Sequence, residues 1–400
     1  LYRRHHGSVK AACLDLSKAF DKCTFSTLFL KLLHRGVPAI VVRGLLSMYT
    51  LQKGYVRWTA DKSISDSFSI SNGTRQGSCL SPCLFAVYMD GLIQKLRLSG
   101  LGCYVLDIFA GAFFYADDLF ILAPTRQALQ EMIHISEHYA TEHNMVFSVN
   151  EDMKKSKSKC LFFTCGKEDK PENVLLYGKP LPWVDQVDHL GHTIHSSGNQ
   201  KIDCRQARAK YCEISSEILR MFEFAHPLEK LTAINVYCNS WYGSMLWDLY
   251  GTAAGCAFRS WNTTAKIAWG LDRATHTYIV DHLLTKDLPS MRQQIVRRYV
   301  KFVSGLLASP NPVINLLAVL SVNTVQSNTG RNITNMKEEF QLDPLTTPRD
   351  RFIVSKSRIP EGGKDNLNLL QDLMCIRENE VDNNILNELD ELIRITCTRS

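Results

Sequence analysis

Two acidic sites in the sequence have the residue types and the setting needed to hold a divalent cation. Asp15 ends an apolar run that predicts a short buried strand at 9–16. Asp117 and Asp118 lie between two runs of aromatic and aliphatic residues, FFY and LFIL. Adjacent carboxylates repel each other, and burying them unpaired costs free energy, so a cation is expected beside them. Oxygen ligands of this kind favour Mg²⁺ or Mn²⁺.

Three carboxylates from two strands can hold two such ions roughly 3.5–4 Å apart, an arrangement that stabilises the attacking and leaving oxygens of a phosphoryl displacement. The acidic pair alone is weak evidence, since such a pair is more often an exposed surface turn. The surrounding sequence decides between these interpretations.

Helices and strands are predicted around the acids from apolar spacing and from the residues that begin and end helices. Gly36 ends the first helix, whereas Ser81 caps a helix with Pro82 at its first position, and Thr125 caps another. The predicted elements are a helix at 24–34, strands within 51–71, a helix from 82 to about 97, two strands at 103–123 with a tight turn at the acids, a helix from 126 to about 144, short strands at 145–149, 160–164, 174–177 and 187–194, and helices from about 203 to 308.

The composition is that of a globular protein, with 45% hydrophobic and 22% charged residues and a net charge of +6. The charge is unevenly distributed, because residues 361–400 carry nine acids and four basic residues and the first 360 therefore carry +11. A mildly basic body is compatible with nucleic-acid binding. No apolar run reaches the roughly 18–20 residues of a membrane-spanning helix, so no membrane is expected as a partner.

The thirteen cysteines are scattered, and no signal peptide is visible. They predict reduced, mostly buried thiols in an intracellular protein of the nucleus or cytoplasm. The close pairs Cys79/Cys83 and Cys160/Cys165 lack a second half that would complete a zinc site.

Five motifs, in order, resemble those of reverse transcriptases. LDLSKAFD at 14–21 resembles motif A, and NGTRQGSCLSPCLFAVYMDGL at 72–92 is similar to motif B. Tyr115-Ala116-Asp117-Asp118 resembles motif C, KSKSKCLFF at 155–163 motif D and HLGHTI at 189–194 motif E. LSKAFD together with RQGSCLSP resembles the non-LTR, LINE-type retrotransposon branch.

The resemblance covers 9–195 by motif and 196–325 more loosely. It implies an α+β fold, a right-hand polymerase palm (an antiparallel sheet with helices packed on one face) followed by an all-α thumb. The implied regions are a palm with partial fingers at 1–200, a helical thumb-like domain at 201–325 and a variable acidic C-terminal extension at 326–400. Only fourteen residues precede Asp15, which predicts a chain truncated before motif A.

The implied activity is RNA-directed DNA polymerisation, with an RNA template, a DNA primer, dNTPs and two Mg²⁺ or Mn²⁺ ions; no oligomeric state is indicated. Asp15, Asp117 and the Leu16 carbonyl would bind metal, with Asp118 as the supporting acid. Lys157, or Lys155 in the other register of the lysine run, would protonate the leaving pyrophosphate. An ordinary solvated basic run is the alternative for these lysines.

The resemblance also implies which residues bind the substrates. Phe20 would lie beneath the incoming sugar and exclude a 2′-OH, although a core phenylalanine is equally compatible with its position. The remaining contacts with nucleotide, template and primer would come from Arg75, Gln76, Gly77, Tyr115, Leu190 and Gly191, with Trp183 packing under the hairpin at 190–191.

Two features of the helical region are compatible with either a binding role or a purely structural one. Arg292, Arg297, Arg298 and Lys301 form a basic stripe that suits phosphate contacts or an ordinary charged helix face. Tyr237, Trp241 and Tyr242 are more typical of a core than of a base-stacking platform.

Two other functions remain open on the sequence. A folded, polymerase-inactive nucleic-acid-binding remnant would keep the basic stripe but tolerate loss of the three acids, which are all present. A scaffolding role for the amphipathic pattern at 366–396 depends on composition alone.

Overall fold

The computed structural model describes residues 7–59, 63–164, 170–198, 201–238, 240–283 and 288–340, with four further residues near the C-terminus, Asn387, Asp390, Ile393 and Arg394. The chain divides into two compact units. The first comprises Leu1–Leu190 and Ile194–Asn199, and the second Gly191–Thr193 and Gln200–Ser400. Most of the pattern predicted at 366–396 lies outside the described residues.

The first unit is mixed α/β, as the sequence predicts. Its strands and helices in chain order are β1 (Val9–Asp15), α1 (Phe25–His34), α2 (Ala39–Thr50), β2 (Lys53–Gly54), β3 (Phe68–Ser69), α3 (Ser81–Leu98), β4 (Tyr104–Val105), β5 (Ile108–Phe109), β6 (Ala112–Tyr115), β7 (Asp118–Ala123), α4 (Arg126–Glu142), β8 (Lys159–Phe163), β9 (Leu175–Leu176), β10 (Lys179–Pro180), β11 (Trp183–Val184) and β12 (Gln186–His189), followed by β13 (His192–His195).

Five of these strands form one sheet in the order β11-β8-β1-β7-β6, antiparallel except for the short β11–β8 pair. Side chains alternate between the two faces of a strand. Ala12 and Leu14 accordingly pack with the buried residues of α1, α3 and α4. Ala11 and Cys13 lie on the opposite face, in a smaller cluster formed by strand residues. The helices therefore cover one face of the sheet.

The ends of the helices follow the capping residues with one exception. The Thr125 side chain accepts a hydrogen bond from the Ala128 backbone N–H, and Gly36 follows α1 with φ +75°. Ser81 is not the N-cap predicted for α3: it is the first helical residue, Leu80 precedes it, and its hydroxyl donates to the Arg75 carbonyl. The strands predicted within 51–71 are only two residues long each.

The second unit is helical. Its helices are α5 (Lys201–Met221), α6 (Pro227–Tyr237), α7 (Thr252–Ala268), α8 (Thr277–Leu283), α9 (Met291–Leu307), α10 (Pro312–Val322) and α11 (Asn328–Phe340). Trp241, Trp247 and Trp261 are the largest side chains of its core. Helix α11, within the region predicted as a C-terminal extension, adds Ile333 and Met336 to this core. Among the described residues, no helix combines the length and apolarity that crossing a membrane requires.

A buried asparagine ties α11 to the segment before α7. Asn332 is fully buried, its Oδ1 accepts from the Leu249 N–H at 2.9 Å, and its Nδ2 donates to the Trp247 carbonyl at 2.8 Å. The side chain thus satisfies two backbone groups that water cannot reach.

Replacing this side chain should destabilise the second unit. We expect Asn332→Ala to lower the free energy of unfolding by about 2–4 kcal/mol, because two buried backbone groups lose their partners. Urea denaturation followed by tryptophan fluorescence measures the loss. Thr334→Ala, an exposed position on the same helix, is the matched control and should change stability by less than ~0.5 kcal/mol. Equal effects of the two substitutions would contradict the assigned role.

Candidate active site

The acids predicted to be catalytic meet at one end of the central strand pair. The antiparallel register of β1 and β7 places Asp15 directly opposite Asp118. Both side chains share the sheet face of Cys13 and Phe120, the face that the helices leave uncovered. Asp15 is 25% exposed and Asp118 36% exposed, so both carboxylates reach solvent from the edge of a buried sheet.

Asp117 lies in the two-residue turn between β6 and β7. Tyr115 pairs with Asp118 across this turn, and Ala116 adopts φ +51°, a left-handed conformation uncommon for a residue with a side chain. The Asp117 carbonyl accepts from the Leu16 N–H at 3.0 Å. This bond joins the turn to the residue that follows β1, so hydrogen-bonded backbone connects all three acids.

Two basic side chains lie beside the acids. Lys157 Nζ lies 3.7 Å from Asp15 Oδ2, whereas Lys155 pairs with Asp152 at 3.8 Å. Of these two lysines, Lys157 is the one beside an acid of motif A. His189 Nδ1 lies 4.0 Å from Asp118 Oδ2.

Burial and mutual repulsion raise the pKa of both facing carboxyls. The pKa of Asp15 is raised above its usual value chiefly by burial, with the charge of Asp117 adding to the rise and Lys157 opposing it. Burial also raises the pKa of Asp118, and the Asp117 charge adds to it. The Cys13 thiol on the same face has its pKa raised to about 12, first by burial and then by Asp118. The site holds more negative charge than its own cations offset.

This donor set fits hard divalent cations. Carboxylate oxygens are the ligands that Mg²⁺ and Mn²⁺ prefer, and a cation among them would relieve the repulsion that raises their pKa values. Within the described ranges, however, no three His, Cys, Asp or Glu side chains are close enough together to enclose an ion. The side chains of the three acids would have to turn inward to hold one.

The loop of motif B lies against motif A. The Thr74 N–H donates to the Phe20 carbonyl at 2.7 Å, and the Gly73 N–H donates to the Cys23 carbonyl at 2.8 Å. Gly73 has φ +96°, and a Cβ there would lie 3.1 Å from the Cα and the carbonyl oxygen of Asp21. Only glycine allows this approach without displacing the backbone.

The predicted nucleotide-binding residues occupy different settings around this contact. Gln76 Nε2 donates to Asp21 Oδ1 at 3.4 Å, and Arg75 is exposed. Gly77 has φ +81° with open space around it. Phe20 is half-buried, and its ring packs on Phe85 with a centroid distance of 4.9 Å. Phe20 is therefore at least partly a core residue.

Motif E forms the tight hairpin that the sequence predicts. Leu190 and Gly191 make the turn between β12 and β13 with φ values of +50° and +76°. The prediction that Trp183 packs under this turn is wrong: Trp183 lies in β11, its ring meets Phe162 edge-on at 6.3 Å, and its Nε1 donates to the Glu172 carbonyl.

A cleft of about 350 Å³ opens beside Gly191 in the second unit. Trp241 is buried and contacts Tyr211, as the core interpretation predicts, whereas Tyr237 and Tyr242 are 72% and 60% exposed. The Tyr242 ring stacks on His192 at 4.8 Å. The cleft is lined by Gly191, Asp203, Gln206, Ala207, Lys210, Tyr211, Ile214, Tyr237, Cys238, Ser240, Trp241 and Tyr242.

The basic stripe on α9 is partly used within the second unit. Arg292 pairs with Glu339 at 2.7 Å and lies over the rings of Tyr250 and Phe258. Arg298 donates to the Ser240 carbonyl, and Lys301 is exposed. Two of the four basic side chains of the stripe, Arg292 and Arg298, therefore bind groups within the second unit.

Comparison with known proteins agrees with this arrangement. The family described as reverse transcriptase (RNA-dependent DNA polymerase) matches residues 1–194. The matched segment belongs to that family. The Pol polyprotein from the type-2 retrotransposable element R2DM of Drosophila melanogaster is 31% identical over 169 residues, 42% of this chain and 15% of that protein. The Pol polyprotein from the type-1 element R2 of Nasonia vitripennis is 32% identical over 119 residues, 30% of this chain and 11% of that protein.

Both relatives are Pol polyproteins of non-LTR retrotransposons, so the segment is a non-LTR reverse transcriptase domain. The chain spans 15% or less of these relatives' length. Telomerase from Candida tropicalis, solved in complex with a fragment of telomeric RNA, aligns with 78% of this chain and 49% of that chain at 10% identity and a TM-score of 0.38. The telomerase of Candida albicans aligns at a TM-score of 0.33 and 10% identity, over 78% and 51% of the two chains.

Sequence reasoning missed two residues that contact the acidic site. Ser158 is fully buried, and its hydroxyl accepts from the Asp15 N–H at 3.2 Å. The ring of His189 lies 5.2 Å from that of Phe120, next to Asp118. The alternating KSKSK pattern and the histidine that begins motif E were the available signals.

Removing a carboxylate should stabilise the reverse transcriptase domain. Because the folded-state pKa of Asp118 is raised, its charged form is disfavoured on folding, and that contribution to stability falls as the pH rises above about 4. We expect Asp118→Asn to raise the Tm at pH 7 on the order of 1–3 °C.

The gain should shrink as the pH falls through the folded-state pKa and disappear well below the ordinary value of 3.8, where the carboxyl is protonated in both states. Differential scanning calorimetry across this pH range measures it. Asp66→Asn, at an exposed acid, is the control and should leave the Tm unchanged. A lower Tm for Asp118→Asn at pH 7 would contradict the electrostatic interpretation.

Proposed function

We propose that this chain carries the RNA-directed DNA polymerase activity of a non-LTR retrotransposon, extending the 3′-OH of a DNA primer with dNTPs on an RNA template. The main support is the register that sets Asp15 opposite Asp118, with Asp117 in the adjoining turn. Three acids at this sheet end are the group that two-metal nucleotidyl transfer requires.

The architecture extends the proposal to regions of the chain. We infer that residues 1–200 form a polymerase palm with partial fingers and 201–325 a thumb, with 326–400 as an extension. The sheet with helices on one face and the helical second unit support this division. Free thiols at the ten described cysteines support an intracellular location, in the nucleus or the cytoplasm.

Asp15, Asp117 and the Leu16 carbonyl would hold two Mg²⁺ or Mn²⁺ ions, with Asp118 as the supporting acid. Bound there, the ions would supply charge neutralisation for the phosphoryl group and activation of the primer hydroxyl. The buried Ser158 and the Leu16 N–H fix the backbone of the ligands, so orientation comes from the sheet end itself.

Lys157 is the proposed proton donor. Its ammonium group already lies 3.7 Å from Asp15 Oδ2, yet the side chain is 72% exposed and can turn outward. It would protonate the leaving pyrophosphate oxygen as the bond to the α-phosphorus breaks. Lys155 would not take this role, since it pairs with Asp152.

The motif A and motif B residues would bind the incoming nucleotide. Gln76 and the backbone at Gly77 would contact the dNTP, and Arg75 the template strand. Packing on Phe85 holds the Phe20 ring in place. A ring that excludes a 2′-OH must be held in a fixed position in this way.

The primer would be held by Tyr115 and by the hairpin turn at Leu190 and Gly191. Tyr115 is 67% exposed beside the acids, which supports a contact with the primer end. The cleft beside Gly191 adds exposed tyrosine rings on which a base could stack.

A primer-extension assay tests the activity. The full chain should add labelled dNTPs to a DNA primer annealed to RNA in Mg²⁺ or Mn²⁺, and Asp117→Asn should abolish incorporation, about 10³-fold or more, while keeping duplex binding. Asp107→Asn, at an exposed acid in the β4–β5 turn, is the matched control. Duplex binding without incorporation by the unsubstituted chain would instead indicate a catalytically incomplete nucleic-acid-binding remnant.

The lysine assignment has its own test. Lys157→Gln should lower the rate of single-nucleotide incorporation roughly 10²-fold, because general acid catalysis contributes that much or more. Lys155→Gln, two residues away, should change the rate less than about twofold. Equal rate losses in the two variants would refute the assignment.

A further inference from the structure

Helices α5 and α7 of the second unit pack side by side in the same direction. Arg208 Nε on α5 donates to Ser260 Oγ on α7 at 2.7 Å, and one turn further the Tyr211 side chain lies beside Thr264. Partners that advance together along both helices define a parallel register. Small side chains, Ala207 on α5 and the fully buried Ala257 on α7, let the two backbones approach.

The same register brings two cysteines together. One turn before Arg208 and Ser260, four residues earlier on each helix, are Cys204 and Cys256. Each residue therefore lies at the position opposite the other across the helix pair. In agreement, Cys256 is one of the groups that raise the pKa of Cys204, after burial and the charge of Asp203.

The two thiols differ in environment. Cys256 is half-buried, and Arg259 Nη2 lies 3.0 Å from its sulfur. Reactive cysteines are typically partly exposed and lie beside a positively charged group, as Cys256 does. Cys204 is only 3% exposed, and its pKa is raised to about 12, chiefly by burial. Cys256 is thus the thiol that a small oxidant can reach, and Cys204 is a sheltered neighbour.

We propose that Cys256 is a peroxide-reactive thiol and that Cys204 is its resolving partner, the pair forming a reversible disulfide that joins α5 to α7. The oxidant is hydrogen peroxide or another hydroperoxide. The proposal is independent of polymerase activity, since none of its residues belongs to the acidic site.

The chemistry proceeds in two balanced steps. The Cys256 thiolate attacks one peroxide oxygen; the S–O bond forms, the O–O bond breaks, and the departing hydroxide becomes water with one proton. The Cys204 sulfur then displaces the sulfenic hydroxyl; the S–S bond forms, and the hydroxyl leaves as water with the Cys204 proton. Two thiols lose two electrons, and one peroxide becomes two waters.

Other cysteines provide internal controls. Cys212 is on α5 two turns after Cys204 and is also half-buried, but the residue that the same register places opposite it on α7 is Thr264 rather than a cysteine. Cys79 and Cys83 are exposed in the first unit. Exposure alone would favour oxidation of that pair, whereas the proposed register favours Cys204 and Cys256.

The test is peptide mapping of the full chain after brief treatment with hydrogen peroxide and alkylation of the remaining thiols. The expected result is a Cys204–Cys256 cross-linked peptide, two hydrogens lighter than the sum of its parts and lost after reduction. Cys212→Ser should leave its yield unchanged, and Arg259→Gln should slow its formation about tenfold. In Cys204→Ser, a dimedone adduct should accumulate on Cys256, because no thiol resolves the sulfenic acid.

Two outcomes would overturn the proposal. One is oxidation of the unsubstituted chain that leaves Cys256 linked to no partner, or linked to a cysteine other than Cys204. The other is an unchanged rate in Arg259→Gln, which would remove the basis for the reactivity of Cys256. Both are read on folded protein, and the first needs no substitution at all.

Discussion

Electrostatic repulsion between Asp15 and Asp118 is the constraint on which the reverse transcriptase domain depends. The antiparallel register of β1 and β7 holds the two carboxylates opposite each other, and the turn adds Asp117. Such a grouping persists only if the rest of the sheet over-determines it. The buried side chains of Leu14, Leu119 and Ile121 supply that restraint, since a shift of one residue would turn them out of the core.

The loop of motif B is held by the same framework. Motif B reaches motif A through backbone hydrogen bonds at Gly73 and Thr74, and the absent side chain of Gly73 permits the contact. The loop and the acids therefore share one rigid base. In the proposed polymerisation, where positioning contributes most of the rate acceleration, such a base would fix the distance between nucleotide and acids before the substrate arrives.

Local sequence signals predicted several of the helix ends and turns. The Thr125 cap, the glycine after α1 and the two-residue turn at Leu190–Gly191 follow from residue types within a few positions. The acidic site was predictable because motifs A and C carry its residues. Its neighbours were not: Ser158 meets Asp15 across 143 positions of sequence, and Arg292 meets Glu339 across 47. Long-range pairs of this kind leave no periodic pattern in the sequence, so the ion pair of Arg292 could not be predicted.

The engagement of Arg292 has a consequence for how the second unit would respond to ionic strength. A cation that neutralises a phosphate displaces a condensed counterion, and each displaced counterion steepens the fall of affinity with salt. Arg292 is already neutralised by Glu339, and its planar group is covered by two rings. Releasing it to a phosphate would expose a carboxylate to the same polyanion. On a bound polyanion, α9 would therefore displace fewer counterions than it has positive charges.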